Sequence, residues 1–144
     1  GPVTRLYEWK HFSQAELAGL QPEKTVMVDF TATWCVNCQV NFRFAINTAA
    51  VKEIVEKNGV VAMEADWTEE NPDLEKQLDL LQSQSIPILA IYPAGRPQDV
   101  IILRDLVTAK QVVEALEKAG PSKDAAKAAE TATAEADTKK PRAG

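Results

Sequence analysis

The only two cysteines of the chain, Cys35 and Cys38, both lie in the stretch TATWCVNC at residues 31–38. Two thiols this close can close on each other, so the chemistry they offer is dithiol–disulfide exchange, in which a thiolate attacks a disulfide sulfur and a second thiol resolves the mixed disulfide. Cys35, the more N-terminal and the one expected to be more exposed, is the expected attacking residue. Cys38, one turn inward, is the expected resolving thiol, whose attack leaves an internal Cys35–Cys38 bond and a reduced partner. Other uses of the pair are weaker. A structural zinc site needs about four ligands, and beyond these thiols the chain offers only His11, in a distant N-terminal segment, so no metal is expected. A purely structural bridge over so short a loop removes little unfolded-state entropy and stabilises little. Two inert buried cysteines are the remaining bland reading.

The elements around the pair decide whether a sulfur can act as a nucleophile. TVMVDFT (25–31) is a nearly continuous apolar, β-rich run, as expected of a central strand buried on both faces. Cys35 falls just past its end, and Cys38 falls in the first turn of a helix beginning near Val36. Unpaired N–H groups and the macrodipole at a helix start favour an anion, and so raise the thiolate fraction of a cysteine there. From Val36 to about Asn58 the chain has no Pro or Gly, and Val51, Ile54 and Val55 share a face, which reads as one long helix or two joined near Asn47-Thr48. Elsewhere, Ser13 with Glu16 opens a short helix ending at Gln21-Pro22, and 59–66 reads as a second strand. Asn71-Pro72 opens a helix carrying Leu74, Leu78 and Leu81 on one face. Strands 88–92 and 100–104 flank the turn PAGRP, and Thr108 caps a last helix that runs to Ala119 before Gly120-Pro121. This order predicts an α/β chain with a mixed central sheet flanked by helices, parallel through the crossovers and antiparallel in an edge hairpin.

With 144 residues, 45% of them hydrophobic, the chain suits one domain. Its net charge of −5 offers no basic face for a phosphate backbone, so nucleic acid is not an expected partner. No run approaches the roughly 18 apolar residues of a membrane span, and a monomer is expected. Residues 1–120 form the expected domain. Residues 121–144 hold eight alanines and no Val, Ile, Leu, Met, aromatic or Cys, which reads as a flexible tail with partial helix around Lys123 to Glu130.

VDFTATWCVNC resembles the active-site stretch of the thioredoxin superfamily, with Asp29 six positions before the first cysteine and Trp34 adjacent to it. SIPILAIY resembles that family's cis-proline loop, and the resemblance spans roughly residues 5–119. WCVNC, EADWT, IPILAIYPAG and LEKA together are similar to the C-terminal periplasmic domain of the DsbD thiol:disulfide interchange family. The resemblance implies a thioredoxin fold that carries electrons without a cofactor on the periplasmic side of the inner membrane. It implies as partners disulfide-containing protein domains, namely the membrane-embedded section that supplies electrons and the same protein's N-terminal domain that receives them. Gly1-Pro2, read as the scar of a cleaved tag, fits a domain cut from a longer protein.

Carried over residue by residue, the resemblance makes Asp29 a buried carboxyl with a raised pKa that exchanges a proton with Cys38. It makes Ile86-Pro87 a cis peptide beside Cys35, where an extended partner chain could pair as an added strand. Trp34 would cover one side of the dithiol, and with Val36, Asn37, Ile86 and Pro87 it completes the expected partner-binding set. Trp67 and Thr68 match the narrower family and read as structural. The chain also departs from the pattern. Val36-Asn37 stands where ordinary thioredoxins carry Gly-Pro, Gln39 replaces a common Lys, and Val40-Asn41-Phe42 lacks the further acidic residue of well-studied DsbD domains, leaving Asp29 as the single expected carboxylate. A free-standing extracytoplasmic reductase or isomerase would use the same motif, and a thioredoxin-fold binding module with a permanent bridge is the alternative outside enzyme chemistry.

Overall fold

A computed structural model of the protein describes residues 3–139. Gly1-Pro2 and residues 140–144 of the expected tail lie outside the described residues. Five strands form one mixed sheet: β1 (Lys10–His11), β2 (Val26–Thr31), β3 (Val61–Asp66), β4 (Ile88–Tyr92) and β5 (Ile101–Arg104), in the spatial order β1-β3-β2-β4-β5. β2 lies at the centre, parallel to β3 and antiparallel to β4, with β1 parallel to β3 and β5 antiparallel to β4. The helices are α1 (Gln14–Leu20), α2 (Val36–Asn41), α3 (Ala49–Asn58), α4 (Pro72–Leu80), α5 (Ala109–Ala119) and α6 (Lys123–Lys139).

The two-residue period of a strand divides the core. Val26, Val28 and Phe30 of β2 pack with Leu17 of α1 and with Leu74 and Leu78 of α4. Met27 points the other way, into a cluster with Val51, Ile54 and Val55 of α3 and Val112 and Leu116 of α5. Full burial of each such aliphatic or aromatic side chain contributes about 1.5–3 kcal/mol. Side-chain caps fix the helix starts, since Ser13, Thr48, Asn71 and Thr108 each accept from a backbone N–H three residues on. Each such cap stabilises by about 1 kcal/mol. Gly59, at φ 61°, closes α3 in the left-handed region, where a side chain would be strained.

The stretch 36–58 is two helical pieces joined at Asn47-Thr48, the second of the two arrangements its sequence allows. Three differences from the sequence reading have physical causes. Phe42–Ile46, at the end of the first piece, is a π-turn. Asn47, whose N–H closes the π-turn on Phe42 O at 2.7 Å, holds the N-terminal segment with its side chain, accepting from Leu6 N at 2.9 Å and donating to Thr4 O at 2.8 Å. β1 is an edge strand of two exposed residues, too short and too polar to leave a periodic signal. Finally, the tail segment, read as flexible with partial helix around Lys123 to Glu130, is helical from Lys123 through Lys139. Its alanine content favours helix once Pro121 is passed, and its start is fastened to the body. The buried Ser122 hydroxyl accepts from Thr25 N at 2.9 Å and donates to Gly59 O at 2.7 Å, while Ser122 N reaches Asn58 O at 2.8 Å. Lys24 and Asp124 pair at 2.7 Å, an exposed contact worth little by itself.

Candidate active site

The strand that ends at Thr31 and the helix that begins at Val36 leave a four-residue turn, and the dithiol sits where turn becomes helix. Cys35 and Cys38 are joined as a disulfide. Cys35 is the N-cap of α2, and its sulfur accepts from Cys38 N at 3.2 Å, so the reactive atom also satisfies a helix-end donor. Cys35 is 8% exposed and Cys38 fully buried, which orders the two sulfurs as expected from sequence. Ala32 and Ile86 pack against the pair. The turn is held from behind, because Cys35 N donates to Ala32 O at 3.2 Å and Gln39 Nε2 donates to the same carbonyl at 2.9 Å.

Pro87 follows Ile86 through a cis peptide, and its carbonyl accepts from Asp105 N at 3.1 Å. Asp105 was not singled out from sequence, yet it ties the proline loop to the dithiol helix. Its backbone carbonyl accepts from Asn41 Nδ2 at 2.8 Å, and its carboxylate accepts from Asn37 Nδ2 at 3.2 Å. Its φ of 59° lies in the left-handed region that Asp tolerates better than most residues. The one sequence cue is its place just after a strand. On the outer surface Trp34 is 59% and Val36 75% exposed. Trp34 packs obliquely on Trp67, with ring centroids 6.4 Å apart, and Thr68 Oγ1 accepts from Thr33 N at 3.0 Å while itself donating to the Asp66 carboxylate. The EADWT stretch is therefore a brace for the turn that carries Trp34.

Asp29 lies in the sheet, 3% exposed, on the same face of β2 as Met27 and level with Glu64 of β3 and Leu89 of β4. No hydrogen bond joins it to either sulfur among the described residues. What connects it to the dithiol turn is a cavity of about 380 Å³ lined by Asp29, Ala32, Thr33, Gln39, Arg43 and Glu64 among others. Burial, with the Glu64 carboxylate adding to it, pushes the Asp29 carboxyl up to about 7. Tyr7, whose hydroxyl donates to Ile46 O at 2.7 Å, is in turn raised by burial and by Asp29.

A mixed sheet in this order, with a helix-capping disulfide after its central strand and a cis-proline next to it, defines a class. The chain belongs to the thioredoxin-like family, whose profile matches residues 8–94. Among solved structures it is similar to the oxidised C-terminal domain of DsbD from Neisseria meningitidis, with TM-score 0.58 and 22% identity over 76% of this chain and 98% of that one. The reduced form of that domain matches with the same TM-score and identity over 72% and 94%. Chloroplastic thioredoxin z matches with TM-score 0.55 and 26% identity over 83% and 97%. No curated protein sequence gives a significant match. Fold, family and CxxC disulfide together support thiol–disulfide exchange as the chemistry of the site. Among the described residues no helix is long and apolar enough to cross a membrane.

Proposed function

We propose that this protein is a protein-disulfide reductase, acting as the C-terminal domain of a DsbD-like membrane reductase on the periplasmic side of the inner membrane. The observation that carries the reading is the placement of Cys35, the accessible member of the disulfide, as the cap of α2. In the reduced protein that cap is a thiolate stabilised by the helix start. Cys35 attacks one sulfur of the partner's disulfide, that bond breaks, and the other partner sulfur leaves as a thiolate. Cys38 then passes its proton toward Asp29, which must be ionised to receive it, and attacks the Cys35 sulfur. The intermolecular bond breaks, the second partner thiolate departs and takes up a proton, and two electrons have moved to the partner. The cavity between Asp29 and the dithiol turn is roomy enough for bridging water, and an acceptor that titrates near 7 suits exchange at neutral pH.

Trp34 and Val36 form an exposed apolar rim beside the sulfurs, with Asn37, Ile86 and Pro87 on the proline side, which suits a protein partner better than a small thiol. Similarity to the DsbD C-terminal domain along nearly its whole length supports that domain's place in an electron relay, with a membrane-embedded donor section and an N-terminal acceptor domain as partners. The test is trapping. Cys38→Ala should accumulate a mixed disulfide through Cys35 with an isolated DsbD N-terminal domain, and Cys35→Ala should accumulate far less through buried Cys38. Absence of both adducts, with no reversible reduction of the wild-type pair in graded dithiol buffers, would leave a binding module. A reversible midpoint in the oxidising range would instead favour an isomerase or oxidase.

A further inference from the structure

Outside the sulfurs, the least expected feature of the site is the company Asp29 keeps. Glu64 stands level with it on the neighbouring strand, and alternation puts both side chains on the same face of the sheet. Two carboxylates so placed oppose each other's ionisation. Over them lies the exposed N-terminal segment, from which Arg5 reaches Glu64 at 2.6 Å. That segment is fastened further along, by Leu6 and Thr4 to Asn47 and by the Tyr7 hydroxyl to Ile46 O. Arg5, Asp29, Glu64 and Arg43 line one cavity, which opens between the segment and the dithiol turn.

We propose that Glu64 and Arg5 form a control pair for the proton on Asp29, Glu64 as the opposing charge and Arg5 as the counter-charge that offsets it. The pair rests on the reading of Asp29 as proton acceptor for Cys38. The groups facing Asp29 support this division of labour. β3 brings Glu64 and Asp66, and β4 brings the uncharged Leu89. The helical stretch brings Arg43, while the N-terminal segment brings Arg5 and Tyr7. Of these, Glu64 is the carboxylate level with Asp29, and Arg5 is its ion-pair partner. With Arg5 in place, part of the opposing charge is neutralised. With Arg5 withdrawn, Asp29 holds its proton to higher pH and accepts the Cys38 proton less readily. Glu64 and Arg5 are positioning residues, since neither touches a sulfur.

The experiment is a carboxyl carbon NMR titration of Asp29 in the full oxidised chain, in which no thiol titrates, for wild type, Glu64→Gln and Arg5→Ala. Both side chains are partly exposed, at 23% and 45%, so neither change threatens the fold. Glu64→Gln should lower the Asp29 midpoint by roughly half a pH unit or more, and Arg5→Ala should raise it. An unmoved midpoint in Glu64→Gln overturns the proposal, and an unmoved or lowered one in Arg5→Ala overturns the part given to Arg5. The pH dependence of mixed-disulfide resolution, measured in the same variants, should move in step with the midpoint. If the Asp29 midpoint moves as expected while the rate profile stays fixed, the control pair stands and the proton-acceptor reading of Asp29 is what fails.

Discussion

At the scale of single residues, the molecule holds a carboxyl where apolar side chains would be more stable. Asp29 ionises in the unfolded chain near the ordinary Asp value of about 3.9 and in the folded chain only at about 7. Between those values the folded state holds more protons than the unfolded one, so its stability falls as pH rises from about 4 to 7 and stays low above. Asp29→Asn removes this penalty. Thermal or denaturant unfolding should show the variant more stable than wild type by roughly 2–4 kcal/mol at pH 8, with the difference vanishing near pH 4. A difference that does not depend on pH would mean that Asp29 is not buried as a titrating group. Cys35, Cys38 and Asp29 were legible in the sequence because each is chemically out of place in its run. Glu64 and Arg5 were not, since the partnership of a strand residue with a segment 59 positions away depends on register and no local pattern encodes it.

The elements were legible wherever apolar periodicity or a cap marked them, as with β2, α4 and α5. Their joints were less so. Asn41, in the stretch that sequence alone read as lacking a carboxylate, is 4% exposed and binds at both ends of its amide, donating to Asp105 O at 2.8 Å and accepting from Val107 N at 3.0 Å. It staples the dithiol helix to the loop that leaves β5, and through Asp105 N to Pro87 O the staple reaches the proline loop. Asn41→Ala should therefore cost about 1–3 kcal/mol of stability, because two partly buried backbone groups lose their partner. Hydrogen exchange should locate the loosening at Asp105 and Val107 rather than in α3. Protection unchanged at those amides would show that the staple is not what holds this joint. The π-turn at Phe42–Ile46 had no sequence signal either, since no residue type there demands it.

For the molecule as a whole, composition described the last segment as polar and alanine-rich but could not show what it touches. Among the described residues, α6 is fastened to the body at its start, where Ser122, Lys123 and Asp124 bond to it, and residues 127–136 are exposed. Removing residues 127–144 should leave the unfolding midpoint within about 2 °C of the full chain, whereas removing 121–144 should lower stability by about 2–4 kcal/mol, since Thr25 N, Gly59 O and Asn58 O each lose their Ser122 partner. Equal stability of the two truncations would mean that Ser122 contributes nothing. The same anchorage gives the molecule two poles. Ser122 grips the residue before β2 begins, and Cys35 stands beyond the point where β2 ends, so the six residues of that strand separate them by about 20 Å. Whatever tugs on or crowds the helix at one pole meets the rigid centre of the sheet before it can disturb the sulfurs, and the protein can be gripped by one end while it works with the other.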